Sequence, residues 1–194
     1  MTFNFPVGYH DLHTVKIIDY QLNRWHSLGY ARLEDVKWAG SRIRTFDDWK
    51  GVMKSLAEKA AAEERWVNAA FYFRAAEFFV LPGDPDKEML YDRFIDLFYN
   101  KACAFEPIER HAVPYEGTYI PALHIPPERT PEKGTIVIHG GFDSFIEGMV
   151  FMCHVFCRKG VQDNPVRRAG SGRGPEKVRP PVNARMGKAD KGGP

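Results

Sequence analysis

Cysteine is scarce in this sequence, with three residues in 194, Cys103, Cys153 and Cys157, and an odd count without framework spacing excludes a disulfide-built scaffold. Long apolar runs are missing as well. Nothing approaches the roughly 20 residues a helix needs to span a bilayer, and the start, Met1-Thr2-Phe3-Asn4-Phe5-Pro6, lacks a basic segment followed by an apolar stretch. The expectation is a soluble, cytoplasmic protein with no membrane partner. Charge of one sign is lacking overall, at +2, but unevenly so: residues 161–194 hold 8 Lys/Arg against 3 Asp/Glu, leaving 19 against 22 in the body. The body is mildly acidic and offers no basic patch for nucleic acid. The same last 34 residues contain no aromatic residue, 6 Gly and 5 Pro, so they bury too little surface to offset the entropy of ordering.

What is present begins with helix signals. Residues 1 to about 44 mix aromatic, charged and turn residues, and Asp19 to Leu33 reads as one weakly periodic helix. Thr45 caps a stronger one with Asp48 three residues on, and Trp49, Val52, Met53, Leu56 and Ala60 form its apolar stripe. A second strong helix runs from about Glu63 to Leu81, with Trp66, Ala69, Ala70, Phe73, Ala76 and Val80 at helical spacing, and Pro82-Gly83 stops it. Asp84 as N-cap and Pro85 in the first turn open a third, striped by Leu90, Phe94, Leu97 and Phe98.

The period changes near Glu106. Glu109 to Pro114 and Thr118 to Ile125 read as strands joined at Tyr115-Glu116-Gly117, and Pro114 and Pro121 place this hairpin at or near a sheet edge. After a proline-rich connection, Thr135 to Ile138 is a β-branched run without alternation, as in a strand buried on both faces. His139-Gly140-Gly141 follows. Ser144 and Glu147 stand in capping-box spacing, and a helix through Met149, Met152, Cys153 and Phe156 ends at Gly160. Gly134 to Gly160 is thus a strand, glycine loop and helix. Cys153 and Cys157 lie one turn apart with His154 alongside, which raises a metal site, but reduced cysteines on an apolar helix are the commoner reading.

An α/β unit of this kind should pass from its helix into another buried strand, yet Gln162-Asp163-Asn164-Pro165 follows. Read from the second base of the Val161 codon, the degenerate code permits a strand and then Glu-Gly-Pro-Gly-Gln-Gly. Met186 before Gly187 forces a tryptophan codon in that frame. One extra base near Gly160 would account for the tail; the other readings are a flexible basic arm and an acidic-surface or nucleic-acid binder.

Three segments in order, Arg74-Ala75-Ala76-Glu77-Phe78-Phe79, the hairpin ending Ile120-Pro121-Ala122-Leu123, and His139-Gly140-Gly141-Phe142-Asp143-Ser144, resemble α/β-hydrolases with an N-terminal helical region. The resemblance implies an α/β fold divided into a cap-like helical region at 1–105, the first strands and helix of an incomplete hydrolase sheet at 106–160, and a disordered, out-of-frame basic tail at 161–194. It implies serine-nucleophile hydrolysis of an ester, amide or activated carbon–carbon bond in a small-molecule substrate. No cofactor or metal is expected, and a homo-oligomer is compatible with it. By resemblance, the backbone amides of Gly141 and Phe142 form the upstream part of the oxyanion hole, Gly140 shapes the turn, and Asp143 meets substrate or caps the helix.

His139 is expected to shape the loop, since the family's catalytic histidine comes late in the chain. Ser144 is expected to cap rather than attack. No Gly-x-Ser-x-Gly occurs, and Ala169-Gly170-Ser171-Gly172 lacks a strand before it. The nucleophile, acid and catalytic histidine are therefore absent from the sequence as written, and a truncated, inactive hydrolase is the expectation. The alternative is a helical protein-interaction module. Trp66, Ala69, Ala70, Tyr72, Phe73 and Ala76 faintly resemble a tetratricopeptide helix, but no second copy lies about 34 residues away.

Overall fold

Thr45 and Asp48 form the reciprocal cap that their spacing predicts: Asp48 Oδ2 accepts from the Thr45 amide at 2.9 Å, and the Thr45 side chain takes the Asp48 amide. The computed structural model describes residues 8–128, 134–141 and 144–158, together with the backbone of Val161–Val166. Its contacts divide the chain into two units, Met1–Glu106 and Pro107–Pro194. Among the described residues, no helix is long and apolar enough to cross a membrane.

The first unit holds α1 (Lys16–Ser27), α2 (Leu33–Gly40), α3 (Phe46–Ala62), α4 (Trp66–Phe78) and α5 (Asp86–Leu97), the last continuing into a π-helical turn, Phe98–Ala102. The helix expected over Asp19 to Leu33 is α1, which starts earlier and ends at Ser27, and a second helix that the sequence did not suggest, α2, begins at Leu33. Gly29, at φ 75°, ends the first, and the amides of Gly29 and Tyr30 return to the carbonyls of His26 and Trp25. The break lets Tyr30 stack on Phe71 of α4, with centroids 3.6 Å apart. Asp19, in the first turn of α1, accepts from the amides of Leu12 at 2.7 Å and His13 at 3.0 Å, so it orders the segment that leads into the helix.

The second strong helix is shorter than its periodicity suggests. Glu64, at φ 55°, closes α3, and α4 begins only at Trp66. Nor is α4 merely striped: every residue from Ala69 to Glu77 is buried, because α3 packs on one side and α5 with its π-helical turn on another. Four alanines among these nine residues let the neighbours approach closely. Its two charged residues are paired in the interior. Arg74 Nη1 donates to Glu77 Oε2 at 2.7 Å, and Lys87 of α5 donates to Glu77 Oε1 at 2.7 Å and to the Val80 carbonyl. A second buried group joins Arg65 and the Tyr72 hydroxyl to Asp35 Oδ2, at 2.9 and 2.7 Å. Both satisfy the rule that interior charges persist only when partnered. Pro85, not Asp84, stands at the N-cap of α5, which starts one residue later than the sequence suggests, and Asp84 Oδ1 accepts from the Asp86 amide at 2.9 Å.

The second unit is built on a four-stranded sheet of order β1-β2-β4-β3, comprising β1 (Glu109–Tyr115), β2 (Thr118–His124), β3 (Gly134–His139) and β4 (Val161–Val166). Strands β1 and β2 are antiparallel and joined at Glu116-Gly117, whose φ of 44° and 77° make the two-residue turn that suits strand twist. Strand β1 lies at the sheet edge, which tolerates Pro114. Between β3 and the parallel β4 runs α6 (Val150–Cys157), preceded by a 3₁₀ turn, Ile146–Met149.

Two expectations differ from the structure. Strand β3 forms but is not buried on both faces: it occupies the other edge of the sheet, and Val137 is 65% exposed. The buried residues of α6 are Val150, Phe151, Cys153, His154 and Cys157. After Gly160, where neither strand nor helix was expected, Val161–Val166 pairs along the whole of β3 and touches β2 at Ala122↔Val166. Ladder bonds are made by backbone groups, so a polar sequence can occupy a strand position that its side chains do not favour. The rest of the tail, including Ser171, lies outside the described residues.

Candidate functional site

The site proposed from sequence is the loop between β3 and α6. A buried glycine, Gly140, ends the strand, and its carbonyl accepts from His139 Nδ1 at 3.2 Å. That bond turns the His139 ring toward its own loop. The Ser144 amide then reaches back to the Gly141 carbonyl at 3.3 Å, which tightens the connection into a turn.

Close approach explains why Gly140 has no side chain. A Cβ there would lie less than 3.0 Å from the Ser144 Cβ and 3.1 Å from Met149 Cε. Gly141 differs, since a Cβ added to it would meet nothing within 4 Å among the described residues. The two glycines therefore do different work: one lets strand and returning chain touch, and the other leaves space beside the loop. Of the remaining residues singled out from sequence, Phe142 and Asp143 lie outside the described residues.

The Ser144–Glu147 capping box does not form. Phe145 is the residue that precedes the 3₁₀ turn, no side chain caps that turn, and α6 starts at Val150. Burial decides this local choice, because Ile146 and Val150 are both buried, and the tighter turn brings them inward together. Glu147 is buried too, rather than reaching back toward solvent at a helix start.

The cysteine pair on α6 faces the interior. Cys157 Sγ donates weakly to the Ile125 carbonyl at 3.7 Å, and Cys153 is fully buried. Cys103, in the first unit, is also buried, and burial followed by the nearby Glu106 pushes its thiol up to about 12, which makes it a poor nucleophile. Among the described residues, a group with the geometry to hold a metal ion lies elsewhere, at Glu109, His111 and His124 on the hairpin. Sequence reading missed it because the three are brought together only by strand register.

No family model matches the sequence, and no curated protein matches it. Solved structures do match its fold. A structure titled "AbyA5 Wildtype" has a TM-score of 0.63 at 17% identity, covering 79% of this chain and 45% of that one. A 2,6-dihydroxy-pseudo-oxynicotine hydrolase has a TM-score of 0.56 at 21% identity, covering 74% of this chain and 44% of the hydrolase. The chain thus spans under half the length of each. Over that span it has the fold of the α/β-hydrolase group, with a helical unit ahead of the first sheet strands.

Proposed function

We propose that this chain carries the helical unit and the oxyanion side of a serine α/β-hydrolase, one that cleaves an ester, amide or activated carbon–carbon bond in a small molecule. The observation that carries this reading is the β3–Gly140–α6–β4 unit, which occurs in a chain sharing its fold with that group. In acyl transfer the attacked carbonyl becomes an oxyanion and needs preorganised amide donors. Gly141 and Phe142 would supply the upstream amide, the close packing at Gly140 would set their backbone path, and Asp143 would face substrate or cap the turn.

Catalysis needs a nucleophile on a strained strand-to-helix turn, and the sequence contains no Gly-x-Ser-x-Gly. The polypeptide in this sequence is accordingly inactive. The reading extends to a one-base shift near Gly160. Strand β4 stands between β2 and β3, a central position usually filled by branched and apolar residues, yet it reads Val161-Gln162-Asp163-Asn164-Pro165-Val166. Pro165 also removes a ladder donor from a central strand. Such disagreement between local sequence and strand position supports a foreign reading frame.

The test compares this chain with a version whose frame is restored from Gly160, using a chromogenic short-chain ester. Hydrolysis by the restored chain alone is expected. Equal hydrolysis by both would show that the nucleophile lies in the present sequence. The encoding DNA checks the frame separately: stop codons soon after removal of one base would refute the shift.

A further inference from the structure

The β1–β2 hairpin carries a cluster that the hydrolase reading does not use. Alternation puts Glu109 and His111 on one face of β1, and the pairing Glu109↔His124 brings His124 onto the same face from β2. Both rings converge on one oxygen. His124 Nδ1 lies 2.8 Å from Glu109 Oε2, and His111 Nε2 lies 3.5 Å from it. The three ligand atoms all fall within 4.8 Å of one another.

We propose that Glu109, His111 and His124 form a zinc(II) site on one face of this hairpin. Tetrahedral zinc with bonds of about 2.0–2.1 Å holds neighbouring ligand atoms about 3.3 Å apart, so two of the three edges are already close to what the ion requires. A surface ion pair explains one histidine beside Glu109; it does not explain a second ring turned toward the same carboxylate oxygen. Two imidazoles and one carboxylate favour zinc and its late transition-metal neighbours over magnesium or calcium, which take oxygen ligands.

The surroundings fit an added ion. Ala122 stands opposite His111, so no bulky side chain crosses the site from β2, and alternation sends Arg110 and Leu123 to the other face. Glu109 and His111 are more than half exposed, which leaves a fourth position to water. The three residues sit at the hairpin end remote from the Glu116-Gly117 turn, so the ion would clip β1 to β2 where the turn constrains them least. None of this depends on the glycine loop or on hydrolase chemistry.

The test is equilibrium dialysis of the full chain, stripped with chelator, against zinc chloride alone. One equivalent bound in the micromolar range is expected, undisturbed by millimolar magnesium. His111→Ala and His124→Ala should each weaken binding roughly tenfold or more, with His111→Gln and His124→Gln as gentler replacements, and circular dichroism should stay unchanged. Copper(II) in place of zinc should show two nitrogen couplings by electron paramagnetic resonance, one lost in each single variant. Absence of zinc uptake by the parent chain, or undiminished uptake when both histidines are replaced, would overturn the site.

Discussion

Replacing Gly140 by alanine tests the glycine loop at its tightest point. The new Cβ would sit less than 3.0 Å from the Ser144 Cβ, a separation that real Cβ atoms essentially never show, and 3.1 Å from Met149 Cε and Ser144 Oγ. The methionine methyl is the end of a flexible chain and can swing away. Ser144 Cβ is fixed to the backbone, so relief requires moving the loop itself. Overpacking of this kind costs about 1–3 kcal/mol, which is roughly a 5- to 150-fold change in the opening equilibrium of the surrounding segment. Gly141→Ala is the matched control. Its Cβ meets nothing within 4 Å among the described residues, so its effect should stay within about 0.5 kcal/mol.

The four tryptophans, Trp25, Trp38, Trp49 and Trp66, all lie in the first unit. Their fluorescence reports whether the helical unit remains folded. Hydrogen exchange over peptides spanning 134–158 reads the effect, with protection in β3 and α6 falling by the stated factor in Gly140→Ala and hardly at all in Gly141→Ala. Exchange in Gly140→Ala within twofold of the parent, or equal losses in both variants, would refute the close-approach account.

In the helical unit, Phe71→Ala removes a buried ring stacked on Tyr30 and close to Trp25, Phe94 and Phe98. It should cost about 3–5 kcal/mol by urea unfolding followed through tryptophan fluorescence. Glu77→Gln leaves Arg74 and Lys87 facing a neutral group in the interior and should cost about 3 kcal/mol; a loss under about 1 kcal/mol would show that water already reaches the pair. Asp19 supplies a pH dependence. Burial acts to raise its carboxyl, but bonds from the Leu12 amide, the Tyr9 hydroxyl and the His13 amide outweigh it and hold the group below 3.8. Its stabilisation is thus complete above the unfolded value and lost as pH falls through the lower folded one. Urea midpoints measured between about pH 5 and pH 2 should fall more steeply for the parent than for Asp19→Asn, and equal slopes would contradict this assignment.

Helix caps were legible because they are local. Thr45 with Asp48 does what its spacing suggests, and Asp84 still bonds the Asp86 amide although α5 starts one residue late, since each bond closes within four residues. The Ser144–Glu147 box has the same spacing and fails, because burial of Ile146 and Val150 selects a 3₁₀ turn in its place. The strand–glycine loop–helix order was also readable, but the burial of β3 was not. A β-branched run states a preference for strand, whereas exposure depends on which neighbours the sheet provides.

Register shows the boundary most clearly. Reading the hairpin turn as Tyr115-Glu116-Gly117 leaves the strand pairing unsettled, whereas the observed two-residue turn at Glu116-Gly117 sets Glu109 against His124. One residue in the turn decides whether Glu109, His111 and His124 share a face.

By itself the sequence determined the helical first half, the period change near Glu106 and the glycine loop ahead of α6, because propensity, capping and turn chemistry act over a few residues. Only the tertiary structure decided that α4 is buried on every side, that β3 is an edge, that Val161–Val166 fills a strand position, and that two histidines meet one carboxylate. Each of these depends on partners distant in the chain, and their identity is not written in any local pattern.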